Sequence, residues 1–145
     1  MRYGSTFLIA LGLFAAPALA QSEAPSYSKG SVWDFGQIKT VDGHFDDYMK
    51  WLAGPWQEQQ EALKKAGHIV SYKVLLVADP RKDEPDIILA TEYANMAAFD
   101  RSTTEEYKMG EKIWGSLSKA SQEQAARGAI RTVQGTMLVR EAVLK

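Results

Sequence analysis

No cysteine occurs among the 145 residues, and that absence removes disulfides, thiolate metal ligands and thiol nucleophiles together. Histidine is confined to positions 44 and 68, and asparagine to position 95. A helix joining the two histidines would hold them roughly 36 Å apart at 1.5 Å per residue, too far to share one ion. No H-x-x-x-H or C-x-x-C spacing exists, so no metal is expected. A Gly-rich phosphate loop and a nucleophile-elbow serine are missing as well, and none of these patterns implies a cofactor. Lys and Arg nowhere cluster, which argues against nucleic acid as a partner.

One uncharged apolar stretch is present, and it stands at the start. Arg2 precedes Phe7 to Phe14, and Ala18, Leu19 and Ala20 lead to Gln21. That pattern reads as a signal peptide over 1–20, with cleavage near Ala20 and a periplasmic or extracellular destination. Pro17 interrupts the stretch, which falls short of the roughly 20 apolar residues that span a bilayer, so no membrane span is expected in the exported chain. Without cysteine at the cleavage site, lipid attachment there is excluded. Of the 17 basic side chains only Arg2 lies in the leader, against none of the 18 acidic ones, so the remainder carries a net charge of −2. Its length is that of one domain, enough for a core without covalent staples.

Residues 21–30 are polar and contain Pro25, and read as a flexible N-terminal arm before a single domain over 31–145. A strand is expected from Val32 to Val41. Asp42 then caps a long helix through Phe45, Tyr48, Met49, Leu52, Trp56 and Leu63, spaced three and four apart, with Gly67 as its stop. Pro55 inside that helix predicts a kink, flanked by Trp51 and Trp56, which read as core or subunit anchors before pocket walls. A second strand over Ile69–Val77, a charged turn and a third strand over Asp86–Tyr93 follow. The run Ile87 to Ala90 suits a central strand. Asn95 caps a short turn, and Ser102 with Glu105 has capping-box spacing for a second long helix ending near Gly128. The last strand is expected from Thr132 to Val143, where Gly135 fits close approach or a β-bulge.

With right-handed crossovers this βαββαβ order gives an α+β, ferredoxin-like sandwich, a four-stranded antiparallel sheet with two long helices on one face. Turning the more apolar alternate set of each strand toward the helices leaves a mixed outer face. It comprises Trp33, Phe35, Gln37 and Lys39; Ser71, Lys73 and Leu75; Ile88, Ala90 and Glu92; and Gln134, Thr136, Leu138 and Arg140.

Two strand-end segments carry a resemblance. Ile38 to Gly43 leading into His44, Phe45, Asp46, Asp47 and Tyr48, and Thr91 to Phe99 after the third strand, resemble the corresponding segments of the dimeric α/β-barrel superfamily, in particular antibiotic-biosynthesis-monooxygenase-like proteins. The resemblance covers Ser31 to Leu144. It implies a homodimeric barrel whose open sheet faces enclose a lumen for a small aromatic, polyketide or haem molecule. The haem-degrading branch relies on an Asn, Trp and His trio that His44, His68 and Asn95 do not reproduce.

The expected ligand-binding residues are Trp33, Phe35, Lys39, His44, Tyr48, Lys73, Glu92 and Arg140. Lys39, Lys73 and Arg140 against Glu92 give the face an excess of positive charge. His44, at a helix start where the dipole disfavours its protonated form, is a candidate base, with solvated surface as the alternative. Three functions remain open: an exported homodimer binding a small apolar or aromatic ligand, a cofactor-independent monooxygenase-like enzyme using His44 or one of Tyr48, Tyr72 and Tyr93, and a non-catalytic interaction protein.

Overall fold

A computed structural model describes residues 24–145, so the leader expected over 1–20 lies outside the described residues. The elements are β1 (Tyr27–Thr40), α1 (Phe45–Trp51), a π-helical turn (Leu52–Trp56), α2 (Gln57–Lys65), β2 (Ser71–Leu76), β3 (Ile87–Tyr93), a 3-10 turn (Met96–Phe99), α3 (Thr103–Trp114), α4 (Leu117–Arg127) and β4 (Arg131–Leu144). The strands pair antiparallel in the order β2-β3-β1-β4, the ferredoxin-like arrangement. The run Ile87 to Ala90 is interior, as its apolar character demands.

Several expectations change. Tyr27 to Gly30, expected as part of a flexible arm, lie in β1, and Tyr27, Ser28 and Lys29 pair with Leu144, Val143 and Ala142. The end of the 14-residue β4 supplies the partner that satisfies their backbone groups. His44, not Asp42, occupies the N-cap of α1. Pro55 is absorbed without breaking the helical course, because the wide π turn relieves the crowding its ring would cause one turn back. At the far end of α2 the chain closes as a Schellman motif, with His68 N–H bonded to Leu63 O at 2.9 Å and Gly67 at φ 74°.

The second crossover is two helices, not one. Gly115 takes φ 78°, a left-handed conformation that ends α3, and the side chain of Ser116 accepts from Lys119 N–H at 3.1 Å to start α4. Ser102 and Glu105 form the expected capping box, and Asn95 Oδ1 accepts from Ala97 N–H at 2.9 Å.

The core sits between the sheet and the first crossover. Ile38 and Ile87 from the sheet meet Tyr48, Leu52 and Trp56 from the helices, with Tyr72, Val74, Leu89 and Ile130 around them. Each large side chain so buried contributes about 1.5–3 kcal/mol. Trp56 meets Tyr72 edge-on at 5.3 Å between centroids, and Tyr48 stacks on Trp51 at 5.6 Å, so both indoles anchor the core. By contrast α3 buries no residue and α4 only Arg127, which leaves the second crossover the more weakly held part of this layer. Among the described residues no helix is long and apolar enough to cross a membrane.

Candidate functional site

Cross-strand partners share a face, so register determines what the uncovered side of the sheet presents. Trp33, Phe35 and Gln37 of β1 stand opposite Glu92, Ala90 and Ile88 of β3. Those in turn stand opposite Ser71, Lys73 and Leu75 of β2. On the other edge Trp33, Phe35 and Gln37 face Val139, Met137 and Gly135 of β4. The opposite set, Val32, Ile38, Ile87 and Leu89 among them, supplies or flanks the core.

The β4 part of this face corrects the expectation. Pairing slips between Gln37 and Ile38, because Ile38 is matched to Val133 and Gln37 to Gly135, leaving Gln134 as the extra residue of a β-bulge. Past the bulge the alternation reverses. Met137 and Val139 therefore join Trp33 and Phe35, whereas Thr136, Leu138 and Arg140 turn to the side of Gly36, Asp34 and Val32.

Four of the eight expected residues come together here. Trp33 and Phe35 stack with centroids 6.1 Å apart and planes within 12°. Lys73 Nζ lies 5.3 Å from the centroid of the Trp33 ring, a cation–π distance. Ser71 Oγ donates to Glu92 Oε2 at 2.6 Å, which leaves that carboxylate oriented and partly covered. Lys39, opposite Thr132, continues the row toward the end of β1. With Arg140 on the other side, Lys39, Lys73 and Glu92 are the expected charged groups that remain on this face, and Glu141, which accepts from Ser31 Oγ at 3.3 Å, adds a second carboxylate beside Val139. An aromatic stack under a cation, bordered by Met137 and Leu75 at 48 % and 41 % exposure, can bind a flat apolar molecule or an equivalent protein surface.

Tyr48 and His44 lie elsewhere. Tyr48 is 1 % exposed in the helix–sheet core, because the inward arc of α1 carries it onto the sheet side opposite Trp33. His44 stands at the start of α1 with Nδ1 3.1 Å from Asp47 Oδ2. The tyrosines are not primed as bases. Burial raises the pKa of Tyr48 and Tyr93, and the hydrogen bond from Tyr72 Oη to Glu61 Oε1, 2.6 Å, is the main cause holding the Tyr72 phenol protonated. Among the described residues no group of three His, Asp or Glu side chains is placed to hold a metal ion.

A cluster on the helix side had no sequence counterpart. Arg127 sits 4.2 Å over the Trp51 ring and 5.8 Å from Trp114, and Arg131 lies 5.8 Å from the Tyr48 ring. Gln124 and Arg127, three apart at the end of α4, were the available signal of a polar pair on one helix face; Arg131, already in β4, gave none.

No family model and no curated protein matches the chain. Among solved structures it is similar to HapK from Hahella chejuensis, with 14 % identity over 76 % of this chain and 91 % of that one, and a TM-score of 0.52. It is also similar to a protein from Shewanella oneidensis, with 9 % identity, coverage of 81 % and 96 %, and a TM-score of 0.49. A dimeric ferredoxin-like protein from an uncultured marine organism gives 12 % identity, coverage of 81 % and 90 %, and a TM-score of 0.49. At these identities the likeness is one of fold. The class is an α+β, ferredoxin-like protein whose sheet stays open within the single chain. That is the fold of the superfamily which the two strand-end segments resemble.

Proposed function

We propose that the protein is exported through its leader and acts as a homodimer, formed sheet to sheet, that binds a small apolar or aromatic molecule between the two faces. The stacked Trp33 and Phe35 under Lys73, on a face that no element among the described residues covers, carry this reading. Four strands about 4.8 Å apart, taken over the length of the 7-residue β3 at about 3.3 Å per residue, give roughly 450 Å² in projection. Side-chain relief brings that toward the ~800 Å² of accessible surface each partner gives up in a standard interface. A bulky aromatic pair on each face also holds two sheets apart, leaving space at the less filled edges for a ligand. The candidate bases do not gather at this face: Tyr48 is in the core, Tyr72 and Tyr93 are on the helix-covered side of the sheet, and His44 starts α1.

The test is native mass spectrometry with light scattering on protein secreted by its own leader. A dimer that begins near Gln21 and carries a bound small molecule is expected. A monomer at tens of micromolar, or a dimer whose facing sheets fill all the space between them, would remove the proposed binding place.

A further inference from the structure

Two guanidinium groups on the helix-covered side of the sheet have donors without acceptors. Arg127, the last residue of α4, and Arg131, the first of β4, are each 8 % exposed. Gln124 Oε1 accepts from Nη2 of both, at 3.1 Å from Arg131. Arg127 Nε and Nη1 and Arg131 Nε are buried and, among the described residues, meet no acceptor. The Trp51 and Trp114 rings stack near the Arg127 guanidinium but offer nothing to its in-plane N–H groups. A buried cation so placed is costly unless an anion completes it, and guanidinium geometry suits a carboxylate.

Space adjoins the pair. A cleft of about 360 Å³ is lined by Trp51, Pro55, Glu123, Ala126, Arg127 and Ile130. A second, of about 450 Å³, is walled by Leu63, Met109, Ile113 and Trp114, and Pro55 and Glu123 line both. Volumes of this size belong to small-molecule pockets. Glu123 does not neutralise Arg127 by a hydrogen bond, and its Oε1 lies 4.0 Å from Lys119 Nζ instead. Glu58 and Glu123 against Lys112 and Lys119 leave the rest of the lining without net charge, and its apolar walls suit a carboxylate on an apolar body better than a phosphate.

We propose that the cleft between the two helical crossovers binds a small apolar carboxylic acid, its carboxylate bonded by Arg127 with Arg131 reinforcing the charge, and its body lying along Trp51, Ile113 and Trp114. The carboxylate replaces the neutral Gln124 oxygen at Arg127 Nη2 and supplies the acceptor that Nε lacks, a stronger, charge-assisted pairing. This site lies across the sheet from Trp33 and Lys73 and does not depend on dimer formation.

The experiment titrates the full chain with 2-naphthoate and, separately, with the uncharged 2-naphthol, by calorimetry and by NMR of the indole N–H signals. The acid is expected to bind about tenfold or more tightly than the alcohol, consistent with hydrogen bonds to a charged group. The Trp51 and Trp114 signals should shift. Arg127→Met should bring the two affinities within about twofold, and Arg127→Lys should recover part of the preference. Should Arg127→Met fail to fold, the acid-to-alcohol ratio in the wild type and in Arg127→Lys decides alone. Equal affinities in the wild type, no binding at millimolar concentration, an unchanged ratio in Arg127→Lys, or dependence on Lys73→Gln in place of Arg127 would each overturn the proposal.

Discussion

Asp34 places a carboxyl on the helix-covered side of the sheet, opposite Thr91 and Leu138, where burial raises its pKa above 3.8. Tyr93 is raised too, by burial first and then by the Asp34 charge. Because the folded chain holds this proton to higher pH than the unfolded chain does, Asp34 contributes stability fully present below about pH 3.8 and lost as pH rises through its folded value. Asp34→Asn is therefore expected to raise the thermal midpoint at pH 7, with the gain vanishing below pH 4. A gain that is the same at both pH values would show that Asp34 is not the titrating group. At this scale legibility depended on whether a side chain's direction is a local matter. Trp33, Phe35, Lys73 and Glu92 could be read because β1, β2 and β3 pair without a slip, so alternation along one strand carries across the others. Tyr48 could not, since helical spacing shows an apolar stripe and not which side of the sheet that stripe meets. An arginine ending a helix is ordinary dipole compensation, so Arg127 gave no sign of its missing acceptors.

Among the elements, β4 has the largest consequence for function. The extra residue Gln134 lets Val133 stay on the side of Ile38 while Met137 and Val139 serve the uncovered face. Deleting Gln134 sets Val133 directly beside Gly135, opposite Ile38 and Gln37, so both halves of the strand keep their faces and only the bulge is lost. Because no apolar side chain changes side, the deletion is expected to cost less than about 1 kcal/mol, read from the urea midpoint at constant slope. A loss of about 2 kcal/mol or more, the burial of one or two apolar side chains, would mean that the two halves do not keep their faces without the bulge. The helices differ in how much of them could be read. Capping by Ser102 and Asn95 rests on residues three apart or fewer and appears as expected. The break at Gly115 does not, because one glycine inside an amphipathic run is equally compatible with a continuous helix.

For the whole molecule the issue is what covers the open face. Met137 and Leu75 are half-exposed on it, so Met137→Glu or Leu75→Glu should change the isolated chain's stability little, by about 0.5 kcal/mol. Across a two-fold sheet-to-sheet contact the same charge is repeated and buried, so either variant is expected to shift the protein to monomer in sedimentation velocity. Arg140→Glu, on the other side of β4, should leave the association unchanged. Dissociation by Arg140→Glu, with Met137→Glu still dimeric, would assign the contact to the opposite face. The βαββαβ order, the caps at Ser102 and Asn95 and the alternation of β1, β2 and β3 followed from the sequence alone, because each arises from neighbours within one or two turns. The side taken by β4 beyond Gln134, the burial of Tyr48 and the meeting of Trp51, Trp114, Arg127 and Arg131 were decided only in three dimensions. Each depends on pairing between segments far apart in the chain, where one inserted residue or one choice of helix face reverses the outcome.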